Sequence, residues 1–117
     1  MGRERGENRY LEFVYLELFE RTRTGVISDD EIKVLEDELL ENPEKGSVQR
    51  DTGGVRKVRV ATGGGGKSGG ARVAYLYAQA RETIYLLLAF PKNVQANLTA
   101  DQKKALRKLV AKLKKEA

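Results

Sequence analysis

Val55-Arg-Lys-Val-Arg-Val-Ala61, Ala71-Arg-Val-Ala-Tyr-Leu-Tyr-Ala78 and Thr83-Ile-Tyr-Leu-Leu-Leu-Ala-Phe90 decide the reading of this chain. Each run has the length and the β-branched or aromatic content of a strand. In the first, a period of two sets Arg56, Val58 and Val60 on one face and Lys57 with Arg59 on the other. The other two are apolar almost throughout, the pattern of strands covered on both faces, and Gln79-Ala-Arg-Glu82 between them reads as a short turn.

Upstream, Arg9 to Tyr15 alternates like a half-buried strand, and Leu16 to Thr24 reads as a short helix ended by Gly25 in a left-handed cap. Ser28-Asp-Asp-Glu31 is a capping box, so a helix starts there; Ile32, Leu35 and Leu39 form its apolar stripe and Asn42-Pro43 stops it. A loop is expected from Gly46 through Gly54. Thr62 to Gly70 holds six glycines in nine residues, a mobile loop or a close backbone approach. Downstream, Thr99-Ala-Asp-Gln102 is a second capping box, and Leu106, Leu109, Val110 and Leu113 follow at helical spacing. Lys103, Lys104 and Arg107 lie on that helix's polar face, where they are expected to bind RNA. The expected fold is α+β, an antiparallel sheet of about four strands with two N-terminal helices and a C-terminal amphipathic helix, in a single domain over residues 1–117 with residues 1–8 disordered.

A chain of 117 residues has room for one core and one domain. It has no His, no Cys and no Trp, so acid/base work falls to carboxylates, Lys, Tyr or Arg, and there is no thiolate nucleophile, disulfide, or Cys- or His-based metal site. The expectation is no metal and no cofactor. Charge is divided along the chain. Residues 1–45 carry 7 basic and 13 acidic side chains, whereas residues 46–117 carry 15 basic and 4 acidic ones. A block with that excess suits a polyphosphate partner. The start of the chain has no apolar core, and the longest apolar run, Ile84 to Pro91, is far short of the ~20 residues of a membrane span, so a cytoplasmic protein without a membrane partner is expected.

Ala61-Thr-Gly-Gly-Gly-Gly-Lys67-Ser68 falls one residue short of a Walker A motif. That motif needs a helix beginning at its Lys-Ser pair, and here Gly69-Gly70 and a strand follow, so no nucleotide cofactor is expected. A loop that carries Lys67 to RNA phosphates, or a plain hairpin loop, fits better. In Arg56-Lys-Val-Arg59, Lys57 and Arg59 project from one face at roughly 7 Å, close to the spacing of successive phosphates. Arg72 opens the next strand and Lys92 follows the last, so four cations converge on one sheet face. Such a set is costly without an anion to share.

Asp51-Thr-Gly-Gly-Val-Arg-Lys-Val-Arg-Val-Ala61, Gly66-Lys-Ser-Gly-Gly-Ala-Arg72-Val-Ala-Tyr75, Leu86-Leu-Leu-Ala-Phe-Pro-Lys92-Asn93 and Asn97-Leu-Thr99 together resemble the RelE/HigB superfamily of type II toxins, in particular its HigB-like branch. The resemblance runs from Ser28 to the terminal helix. It implies a RelE-like fold and a ribosome-dependent, metal-independent endoribonuclease (an mRNA interferase) that cuts mRNA in the ribosomal A site, stops translation and is silenced by a cognate antitoxin. It further implies Lys57, Arg59, Arg72 and Lys92 as catalytic positions, with Arg56 and Lys67 at basic, RNA-binding positions. Well-studied members add a Tyr- or His-containing cluster near the last strand or the C-terminus, and the corresponding Val94-Gln-Ala-Asn-Leu-Thr99 offers neither, which leaves the general base open. Tyr75, Tyr77 and Tyr85 read as core or rim. Two other readings remain: a non-catalytic RNA- or partner-binding module, and a ParE-like gyrase inhibitor.

Overall fold

Two capping boxes set the starts of the long helices. The Ser28 hydroxyl accepts from Glu31 N (3.1 Å) while the Glu31 carboxylate accepts from Ser28 N (2.9 Å), and Thr99 with Gln102 repeats the exchange at 3.1 and 2.9 Å. We describe residues 10–63 and 70–116 from a computed structural model. The expectations for residues 1–8 and for Lys67 lie outside the described residues. The elements are β1 (Glu12–Tyr15), α1 (Glu17–Arg23), α2 (Asp29–Glu41), β2 (Ser47–Val48), β3 (Arg56–Val60), β4 (Ala71–Ala78), β5 (Thr83–Pro91) and α3 (Ala100–Lys115), with a single 3₁₀ turn at Gln79–Arg81 between β4 and β5.

The five strands form one sheet in the order β1-β5-β4-β3-β2. Two features depart from the expectation of about four antiparallel strands. Ser47 and Val48, read as loop, pair with Lys57 and Arg56 and add a fifth strand. And β1 runs parallel to β5, Phe13 opposite Ile84, so the sheet is mixed. A strand separated from its neighbour by helices can return in either sense, and here the amides of Glu12 and Leu16 reach Glu82 O and Leu86 O at 2.9 and 3.1 Å. Beyond Leu86 the edge of β5 is covered by α1, whose Thr22 hydroxyl accepts from Ala89 N at 3.0 Å.

The core has two layers, one on each face of the sheet. Phe19, Ile32, Leu35 and Leu39 cover Val58, Val60, Val73, Tyr75, Ile84 and Leu86 on one face. On the other, Leu106, Val110 and Leu113 of α3 cover Val55, Ala74, Leu76, Leu87, Leu88 and Phe90. Strands β4 and β5 are thus buried on both sides, as their composition predicts. Tyr75 is a core residue: fully buried, it donates to Pro43 O (2.8 Å) and accepts from Gly46 N (2.9 Å), which fastens the chain after α2 against the sheet. Burial raises its phenol pKa. Tyr85 is a rim residue against Arg81, whose guanidinium also caps the end of α3 through Leu113 O at 2.7 Å.

Among the described residues no helix is long and apolar enough to cross a membrane. The glycine run leads into strand β4, where a Walker A loop would lead into a helix.

Candidate active site

The sheet register decides which cations meet. Arg59 stands directly opposite Arg72, and Lys57 opposite Ala74, so all three share the face that α3 covers further along. Arg72 in turn stands opposite Phe90 on β5. The pairing of β4 with β5 holds one irregularity. Between Ala74 and Tyr75 the pairing slips by one residue on β5, leaving Leu87 without a partner of its own. Leu87 and Leu88 both enter the α3-side core, and the alternation resumes shifted. Lys92 is the residue after the last of β5, in a turn, and its amide bonds Gly70 O at 3.0 Å beside the start of β4.

Lys57, Arg59 and Arg72 thus form a cationic corner on two adjacent strands, with Lys92 in the turn just past the end of the third. Arg59 is exposed, while Lys57, Arg72 and Lys92 are half-buried. Among the described residues none of the four reaches a carboxylate within ion-pair distance. Like charges directly opposite each other on a ladder destabilise a sheet. The Arg59–Arg72 pair therefore carries a cost that a bound anion would relieve.

The loop between β5 and α3 walls this corner. The Lys57 ammonium donates to Asn97 Oδ1 at 2.8 Å and reaches Ala96 O at 3.4 Å. Sequence reasoning missed Asn97, because only the fold returns the loop to β3. On the side of the glycine run, the Glu31 carboxylate of the first capping box also accepts from Gly63 N. The Ser28 amide, foremost, and the Gly63 amide hold the Glu31 carboxyl below the usual carboxylate range.

Arg56 is not brought to this corner. It lies on the opposite face, where its guanidinium donates to Glu44 O (3.1 Å) and Gly46 O (2.7 Å) beside the Glu44 carboxylate. Its geometry is that of a brace for the loop between α2 and β2. Arg56→Ala is accordingly expected to cost about 1–2 kcal/mol of stability and to leave the salt dependence of RNA binding unchanged, as thermal melts and binding titrations would show. On α3, Arg107 turns to the loop before β3 and donates to Asp51 O at 3.0 Å, whereas Lys103 and Lys104 lie near the helix end adjoining Asn97.

A family model described as the RelE toxin of the RelE/RelB toxin–antitoxin system matches residues 17–117. The chain belongs to the RelE toxin family. It is therefore the toxin of a toxin–antitoxin system, and its partner is an antitoxin. Among solved structures, it is similar to that of E. coli toxin RelE in the free state, a mutant with two arginines replaced by alanine, at 14% sequence identity and a TM-score of 0.49 over 73% of this chain and 86% of that one. The match to the RelE family covers all four cations of the corner and both capping boxes.

Proposed function

We propose that this RelE-family toxin is a ribosome-dependent endoribonuclease of the cytoplasm that cleaves mRNA in the A site. The observation that carries the reading is the corner of Lys57, Arg59 and Arg72 on two paired strands with Lys92 just beyond a third, none of them within ion-pair distance of a carboxylate among the described residues. In this reading Arg59 and Arg72 grip the scissile phosphate and the negative charge that builds on it, a task suited to the planar guanidinium fork. The ribose 2′-oxygen attacks the adjacent phosphorus and loses its proton, the P–O5′ bond breaks, and the 5′-oxygen takes up a proton. The products are a 2′,3′-cyclic phosphate and a 5′-hydroxyl. In the same reading Lys57 and Lys92 are the groups that move those protons. Lys103 and Lys104, next to the corner, extend the basic surface toward the RNA backbone.

The antitoxin, in this reading, silences the toxin by covering the corner or by adding bulk that prevents entry to the A site. Direct cover would bring acidic side chains against Lys57, Arg59, Arg72 and Lys92, since burying such cations unpaired is costly. Two experiments test the proposal. Primer extension on cellular mRNA after induction is expected to show codon-phased 5′ ends, which a non-catalytic RNA-binding module or a gyrase inhibitor would not produce. Co-expression with the neighbouring reading frame is expected to restore growth and yield a tight complex; a neighbour that neither binds nor rescues contradicts the toxin–antitoxin pairing.

A further inference from the structure

We propose that Asn97 is a positioning residue for Lys57, held in place by Gln95 and Gln102. The inference rests on the reading of the cationic corner as the phosphate site. It starts from a continuous chain of hydrogen bonds. Gln102, the third residue of α3, accepts on a single oxygen from Thr99 N (2.9 Å) and from Gln95 Nε2 (2.8 Å). The same Gln95 amide nitrogen donates to Asn97 O at 2.8 Å. Asn97 then accepts the Lys57 ammonium on its own side-chain oxygen at 2.8 Å, with Ala96 O at 3.4 Å beside it. The cap of a helix thus fixes the shape of a loop, and the loop fixes a lysine 40 residues earlier in the chain.

The chemistry of the acceptors gives this chain its meaning. A lysine ammonium has three donors on a flexible stem. Two are directed here to neutral oxygens, which orient the group without cancelling its charge and leave one donor for an anion. A carboxylate at position 97 would hold Lys57 equally well but would cancel one of the corner's positive charges. Asn97 therefore serves orientation and preserves the field that phosphate binding needs. Because it is exposed, its replacement removes little packing.

Two readouts on the full chain test the role. ¹⁵N-lysine NMR, with the resonance assigned through Lys57→Arg, follows the Lys57 ammonium directly, and multiple-turnover cleavage of ribosome-bound mRNA separates kcat from KM. In Asn97→Ala the Lys57 protons are expected to exchange faster, and kcat to fall roughly tenfold with KM within about twofold of wild type. In Asn97→Asp, which keeps the acceptor and adds a negative charge, the slow exchange is retained, kcat stays within about threefold and KM rises roughly fivefold or more. An unchanged Lys57 resonance in Asn97→Ala, or an unchanged kcat, overturns the positioning role. Should the wild-type chain cut no ribosome-bound message, the nuclease reading falls, and the Lys57 resonance alone then decides whether Asn97 positions it.

Discussion

Arg72→Ala is expected to abolish growth inhibition and to lower ribosome-dependent cleavage about 10²–10³-fold, while the melting temperature stays the same or rises. The loss follows from position. Arg72 is the central cation of the corner, half-buried on β4 between Arg59 on one side and Phe90 on the other. A lysine elsewhere cannot replace its bidentate grip on a phosphoryl group. The stability effect has the opposite sign because the residue takes no part in the core and faces a like charge across the ladder. Growth assays, cleavage kinetics and a thermal melt on one preparation measure both. A variant that is folded and fully toxic would remove Arg72 from the site.

Gly70→Ala is expected to destabilise the fold by about 2–4 kcal/mol, lowering the melting temperature by about 10 °C or more. Gly70 re-enters the sheet after the glycine run with φ of +72°, a left-handed conformation that side chains resist, and a Cβ there would lie 2.2 Å from Val60 O and 3.1 Å from Thr62 N. Both contacts are backbone at the end of β3, so relief requires the strand to shift. The same residue accepts the Lys92 amide at 3.0 Å, so the shift would also disturb the cationic corner. Gly25→Ala is the control. Its φ of +79° is equally left-handed, but nothing lies within 4 Å of the added carbon, and only the conformational cost of about 1 kcal/mol remains. Denaturation of the two variants separates close approach from backbone preference.

Much of this architecture was legible in local pattern. Ser28 with Glu31 and Thr99 with Gln102 announce two helix starts that the structure reproduces as full capping boxes, and the stripes Ile32, Leu35, Leu39 and Leu106, Val110, Leu113 are the buried faces of those helices. Period-two alternation separates Lys57 and Arg59 from Arg56, and the register keeps that separation. What escaped is set by contacts distant in sequence. Nothing local in Glu12 to Tyr15 says that this strand runs parallel to β5, and Ser47–Val48 is too short for any periodicity. Within Leu86-Leu87-Leu88 all residues are alike, so the sequence cannot mark which one bulges, yet that bulge puts both Leu87 and Leu88 into the α3-side core. The bracing role of Arg56 and the grip of Asn97 on Lys57 likewise depend on partners 10 and 40 residues away.

The function proposed for this cationic corner is cleavage of mRNA on the ribosome. Its most direct test adds the purified chain to ribosomes programmed with a defined A-site codon and maps 5′ ends by primer extension, beside Arg72→Ala and a ribosome-free control. Cuts are expected in the A-site codon alone, with a 5′-hydroxyl and a 2′,3′-cyclic phosphate at the break, and none in either control. Intact message in the presence of a chain that arrests growth, or equal cutting by Arg72→Ala, would contradict that function.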